Sequence, residues 1–166
     1  MKNFFINLDN QIQRRKFFLK LNNYNNEINS PLFSRFPAIK NSDSRIKKIK
    51  GKLASKGKAV YLSHYELIKK NLNNDQDIWI CEDDTHIFSE TSSFIKNFDL
   101  EKYKWDIIFT DIGIGDIGQM IYLFQLKRKV KENDFILIEL AKFKFFGLSS
   151  YIVNRNSKKK ILTFLD

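Results

Sequence analysis

Cysteine occurs once in the 166 residues, at Cys81, which excludes an internal disulfide and a thiolate metal cluster. Set inside an apolar run just before Glu82, it reads as a small core residue rather than a nucleophile. Long hydrophobic runs are missing too. Ile136-Leu137-Ile138 is typical of the longest, far below the roughly 20 residues that a membrane-spanning helix needs. Phe4-Phe5-Ile6 lies near the start, but Asn7 and Asp9 interrupt it and no small-residue cleavage site follows. It is not read as a secretory leader, and a cytoplasmic protein is the expectation. Acidic residues are in deficit, 19 Asp and Glu against 29 Lys and Arg, for a formal charge of +10.

That charge calls for a partner. The cations cluster at Lys47, Lys48, Lys50 and Lys52, at Lys127, Arg128, Lys129 and Lys131, and at Lys158, Lys159 and Lys160. Nucleic acid, an anionic membrane surface and a phosphorylated substrate all suit such clusters. A coding bias towards Asn, Lys, Ile and Phe accounts for them without any partner. The length is that of one domain, and a hydrophobic share of 43% with 16 Phe is enough for a sizeable core.

Along the chain, Asn3 to Leu8 reads as a strand and Gln11 to Leu21 as a helix, through the spacing of Ile12, Phe17, Phe18 and Leu21. Asn22 to Ser34 reads as a loop, and Phe36 to Ile39 as a short strand whose Pro37 suits a sheet edge. The basic stretch Asn41 to Lys58 shows no core face and reads as a mobile loop over a site. Tyr61, His64, Tyr65, Ile68 and Leu72 share one side of a helix over Ala59 to Leu72. Ser89 to Phe98 is a helix or turn. Ile121 to Gln125 and Phe135 to Leu140 read as two strands joined through a basic turn, Gly147 to Val153 as another strand, and Arg155 to Leu165 as a helix.

Trp79-Ile80-Cys81 stops abruptly at Glu82-Asp83-Asp84. Three adjacent carboxylates repel one another, so a cation or cationic partner is expected to offset them, although an exposed acidic loop is the simpler reading. Trp105 to Asp111 repeats the pattern of an apolar strand delivered onto an acid. The alternation of strands and helices predicts an α/β domain with a mostly parallel central sheet flanked by helices, its ligands at the carboxyl ends of the strands. Asp9, the Glu82 triplet and Asp111 are expected at such ends.

Gly113-Ile114-Gly115-Asp116-Ile117-Gly118 fits the dinucleotide fingerprint G-x-G-x-x-G. A functional fingerprint opens a helix. Here Met120 to Phe124 looks extended, and Asp116 would place a negative charge among amides meant for a pyrophosphate. The nicotinamide reading is set aside.

Phe5-Ile6-Asn7-Leu8-Asp9 with Arg14-Arg15, then Arg35-Phe36-Pro37-Ala38, Leu62-Ser63-His64 and Glu82-Asp83-Asp84, in this order and spacing, resemble glycosyltransferase family 25. That family contains bacterial lipooligosaccharide galactosyltransferases and collagen galactosyltransferases. Trp105 to Ile108 and Gly147 to Val153 are similar to its downstream segments. Asn10 and Gln13 depart from its pattern, which commonly has a basic and an acidic residue there, and the chain stops at Asp166, short of the C-terminal part of most relatives.

The resemblance implies one GT-A-like nucleotide-sugar-binding domain over residues 1–166, lacking that C-terminal part. It implies transfer of a sugar, galactose from UDP-galactose above all, onto a lipooligosaccharide or other glycan acceptor, lipid-linked or not, in the cytoplasm or at the inner face of a bacterial inner membrane, where the basic surface would make peripheral contact. A divalent cation, Mn²⁺ or Mg²⁺, would sit at the acidic strand end, with Glu82 and Asp84 as ligands and Asp83, Asp84 and Asp111 as the catalytic acids. Asn7, Leu8, Asp9, Arg14, Ser63 and His64 would line the donor site. For a base that deprotonates the acceptor, Asp111 and Asp116 are weak candidates. A solvated helix position is the plainer reading of Arg14, and a partly buried core histidine that of His64. Two other readings remain: a truncated, inactive sugar-nucleotide-binding homologue, and a basic module for nucleic acid or membrane with no chemistry. Under the transferase reading no nucleic-acid partner is expected.

Overall fold

The computed structural model describes residues 1–23, 32–131 and 136–166. Five strands form one sheet in the order β2-β1-β3-β5-β4: β1 Lys2–Asn7, β2 Ser34–Pro37, β3 Ile78–Glu82, β4 Ile107–Ile114 and β5 Phe145–Val153. The helices are α1 Ile12–Asn23, α2 Ser55–Lys70, α3 Ser89–Asn97, α4 Ile117–Lys129 and α5 Lys158–Leu165. Among the described residues no helix is long and apolar enough to cross a membrane.

Period-2 alternation in the central strands feeds a core on each face of the sheet. Ile6, Ile78, Ile80, Tyr151 and Val153 pack with Leu67 and Ile68 of α2 and Ile161 and Leu162 of α5. Phe5, Trp79, Cys81 and Ile152 pack on the other face with Phe18 of α1 and Phe33, and Ile95 of α3 adds to that layer. Phe18 is fully buried, stacked on Phe5 at 4.4 Å and edge-on to Phe33 at 5.5 Å. Burial on both faces explains why Ile78 to Cys81 is apolar without a break. The lone thiol lies there fully buried, pushed up to about 12 by loss of water.

The sheet is mixed rather than mostly parallel. β1 pairs in parallel with β2 and β3, whereas β5 runs antiparallel to both β3 and β4. The cause lies in the connection after β4. Helix α4 stays at the end where β4 finishes, held by Gln119 Oε1 accepting from the Lys144 amide, and Phe145 then pairs with Ile114. Among the described residues no helix crosses back over the sheet to reset the direction, so the chain returns antiparallel.

Several local expectations change. Ile121 to Gln125 is helical, within α4, because the Asp116 carboxylate caps the helix by accepting from the Gln119 amide. Residues 136–139 form no strand and Leu140–Lys142 is a short 3-10 turn, while Phe135 and the basic turn before it fall partly outside the described residues. The glycine fingerprint therefore does open a helix, and the argument from an extended continuation fails. The objection from Asp116 stands, since its carboxylate already occupies the Gln119 amide at the helix start. Gly113 has another role: a Cβ there would overlap the ring of Phe146 across the β4–β5 pair.

The stretch Asn41 to Lys58 has a core after all. Ser44–Lys48 is a 3-10 turn capped by Asp43, Ile46 is buried against Ala59 and Leu62, and α2 begins already at Ser55. Asn22 and Asn23 extend α1, the second strand runs Ser34–Pro37 at the sheet edge, and residues 24–31 of the expected loop lie outside the described residues. Asp111 is not at a strand end, because β4 continues to Ile114 through a bulged pairing with β5. Lys158 leaves the basic surface cluster. Its ammonium is buried at the start of α5 and donates to the carbonyls of Asn74 and Gln76 at 2.6 and 2.7 Å.

Candidate active site

β1 and β3 are adjacent and parallel, with Ile6 opposite Glu82, so Asn7 and Asp83 emerge side by side at their carboxyl ends. A cavity of about 550 Å³ opens there, within the roughly 300–1,000 Å³ usual for small-molecule sites. Ile6, Asn7, Leu8, Asn10, Gln11 and Arg14 line it from β1 and α1, and Ala38 to Ser42 from the segment after β2. Lys56, Ala59, Val60, Ser63 and His64 line it from α2, at the i, i+3, i+4, i+7 and i+8 spacing of one helical face. Glu82, Asp83 and Asp84 complete it.

The cationic partner that the acidic triplet needs is supplied by the protein. Arg14 Nη2 bridges Asp83 Oδ1 and, at 2.9 Å, Asp84 Oδ2. The other Asp83 oxygen accepts from Asn7 Nδ2 at 2.5 Å. Asp83 is thereby buried with both oxygens engaged, whereas the Asp84 side chain remains 62% exposed. The turn beyond is clamped by Asn22, whose side chain donates to the Thr85 carbonyl and accepts from the Ile87 amide.

Asn7 is a hub. Its amide nitrogen also donates to the Gln11 carbonyl, and its side-chain oxygen accepts from Arg35 Nε at 3.2 Å. Arg35 further reaches the Asn7 carbonyl and Asp9. The guanidinium beside Asp9 holds its carboxyl below the usual carboxylate range, and Asp9 is not among the cavity-lining residues. Ser63 has a structural engagement as well. Its hydroxyl donates to the Ala59 carbonyl and accepts from the Ile39 amide at 2.8 Å, tying the segment after β2 to α2.

His64 is buried between two partners. Its Nδ1 lies 2.7 Å from the Tyr151 hydroxyl, and its Nε2 lies 3.4 Å from Glu82 Oε1, a contact that falls short of a hydrogen bond. Burial pushes the Tyr151 phenol up, so its proton is available to Nδ1. A hydrogen on Nε2 suits this arrangement, since a bare nitrogen would face the Glu82 carboxylate. The imidazole, assisted by Arg14 and opposed by partial burial, holds Glu82 below its ordinary value.

The structure therefore gathers Asn7, Leu8, Arg14, Ser63, His64, Glu82, Asp83 and Asp84 around one cavity. Asp111 pairs with Ser150 in a strand separated from β3 by β5, and it is not among the lining residues. Sequence reasoning missed Arg35, Lys40, Lys56 and Tyr151 as parts of the site. Arg35 lay inside a quoted motif without a role, and Lys56 was hidden in a basic stretch read as loop. Tyr151 comes from a strand distant in sequence and, like Arg35, lay inside a quoted segment without a role.

Among the described residues no three His, Cys, Asp or Glu side chains group as a metal cluster. Hard carboxylate oxygens suit Mn²⁺ or Mg²⁺ in kind, but Asp83 is fully engaged and Arg14 shares Asp84.

No curated protein matches the sequence. The pattern of glycosyltransferase family 25 (LPS biosynthesis protein) matches residues 1–166. The chain belongs to glycosyltransferase family 25, a membership that implies transfer of a sugar from a nucleotide donor to a glycan acceptor in lipopolysaccharide biosynthesis.

Proposed function

We propose that the cavity at the ends of β1 and β3 holds a UDP-sugar, UDP-galactose first, and that the chain transfers its sugar to a lipooligosaccharide-type acceptor as a GT-A-like enzyme. The supporting observation is one cavity that combines the acidic strand end with three cations, Arg14, Lys40 and Lys56, and with apolar walls from Ile6, Ala38, Ile39 and Val60. Cations suit a diphosphate, and the apolar walls suit the faces of a base or sugar ring. A basic module without chemistry leaves this acid-lined cavity without a use.

Arg14 would turn part of its charge to the donor phosphates. Asp83, pinned by Asn7, would keep the acidic end in place. Lys40 and Lys56 would approach from the opposite wall, and His64, with Nε2 directed at Glu82, would hold that carboxylate in place beside the cavity. Asp84, and Glu82 beside it, would hold a divalent cation jointly with the phosphate oxygens, since the protein supplies too few free ligands alone. Such an ion would neutralise the charge that develops on the departing diphosphate. Asp83 and Asp84 are the proposed catalytic acids, and Asp111 has no part here because it is not among the cavity-lining residues.

A thermal-shift series of nucleotide sugars, with and without manganese, tests the reading. A ligand that binds only the folded state raises its melting temperature. UDP-galactose with manganese should give the largest rise, and a series with no rise for any nucleotide sugar would contradict the proposal.

A further inference from the structure

Helix α4 is apolar on the side it turns to solvent. Gln119, Leu123 and Leu126 are its half-buried positions, whereas Ile117, Met120, Ile121 and Phe124 are 74, 53, 54 and 62% exposed. Those four follow the i, i+3, i+4, i+7 spacing of a single stripe. A helix apolar on both sides is ordinarily covered on both, and no described residue covers this one. The stripe ends in cations. Arg128, four residues beyond Phe124 on the same side, lies over the Phe124 ring at 5.2 Å, flanked by Lys127 and Lys129 and followed by Lys131.

The neighbouring segment continues the surface. Phe143 approaches Tyr122 at 6.2 Å between ring centres, Lys142 and Lys144 are exposed, and Phe146 is 64% exposed. Cations outnumber the acidic groups here: Asp116 is spent on capping the helix, Glu139 precedes the 3-10 turn, Glu90 of α3 is near enough to Lys127 to feel its charge, and Glu132 and Asp134 follow Lys131 in sequence.

We infer that α4 and the Phe143–Phe146 segment form a docking face for an anionic phospholipid surface, with Ile117, Met120, Ile121 and Phe124 entering the headgroup boundary and Lys127, Arg128 and Lys129 meeting the lipid phosphates. Charge complementarity selects this occupant. An apolar stripe alone would suit any partner, but one bordered by six cations in a chain of net charge +10 suits a negative, laterally adaptable surface. Arg128 lies against the aromatic stem in the way long cationic side chains do at an interface. The inference stands apart from the donor site, because the face includes no cavity-lining residue.

The test is flotation with vesicles of phosphatidylethanolamine and phosphatidylglycerol, and with vesicles of phosphatidylcholine alone. The protein should float with the anionic vesicles, less so as salt rises, and should stay behind with the neutral ones. A Lys127→Gln, Arg128→Gln, Lys129→Gln variant should partition on the order of a hundredfold more weakly, from about fivefold per cation. Phe124→Glu should also lose binding, and both variants should keep the wild-type melting temperature and UDP-galactose affinity, because the altered groups are exposed and outside the cavity. Wild-type protein that ignores anionic vesicles, or variants that float as wild type does, would overturn the inference. So would sedimentation velocity showing a dimer that Phe124→Glu dissolves while vesicle binding persists, since the stripe would then be an interface between copies.

Discussion

Asn7 and Asp83 lie 76 positions apart, yet the side-chain amide of the first donates to the carboxylate of the second at the mouth of the cavity. The parallel register of β1 and β3 dictates the meeting. It leaves Asp83 as the fixed member of the acidic triplet and Asp84 as the one open to solvent.

Replacing Asn7 by Leu keeps the bulk but strands the Asp83 oxygen and Arg35 Nε, while the Gln11 carbonyl keeps its bond from the Arg15 amide. Each buried polar group left without a partner costs about 1–3 kcal/mol, so urea unfolding should show a loss of at least ~2 kcal/mol. Unfolding indistinguishable from wild type would mean that the hub carries no stability.

Arg14→Gln removes the charge between two carboxylates. Arg14 is half-exposed, so the stability change should stay within about 1 kcal/mol. UDP-galactose affinity, measured by calorimetry, should drop about tenfold or more, because the acids then oppose the diphosphate uncompensated. Unchanged affinity would return Arg14 to a purely local role.

Acid should release the capped turn beside the cavity. The Arg45 side chain and amide hold the Asp43 carboxyl down at about 2, from an ordinary 3.8. A carboxylate with a lowered folded-state pKa contributes stability that is complete above its unfolded value and is lost as pH falls through the folded one. Protection of the Arg45 amide against hydrogen exchange should therefore weaken between about pH 4 and pH 2. In Asp43→Asn that acid transition should vanish; its persistence would assign the transition to another group.

Lys158→Met keeps the stem and deletes the ammonium that serves the carbonyls of Asn74 and Gln76. Two unpaired acceptors should lower stability by about 1–3 kcal/mol in thermal or urea unfolding. An equal or higher stability would show that water replaces the ammonium without cost.

Much of the site was legible because its chemistry is concentrated in short segments. Asn7 closes one apolar strand and Glu82 another, and hydrophobic alternation locates both. The sequence reading expected something positive beside the triplet; that Arg14 provides it depends on how α1 lies across the ends of β1 and β3, which no spacing encodes. The course of Ile121 to Phe124 was misread because a short apolar run fits a buried strand and a helix equally, and the deciding cap, Asp116, had been weighed only as an obstacle to phosphate. The direction of β5 was hidden for a related reason. Sheet direction is set by whether the chain crosses the sheet, and α4 does not.

Calorimetric titration of UDP-galactose with manganese into the wild type and Asp84→Asn measures whether the acidic strand end is a donor site. The substitution preserves size and removes one charge from a largely exposed side chain, so folding should be untouched. The account predicts clear binding to the wild type, weakened at least about tenfold, near 1.4 kcal/mol, in the variant. Equal affinity in the two proteins would contradict it.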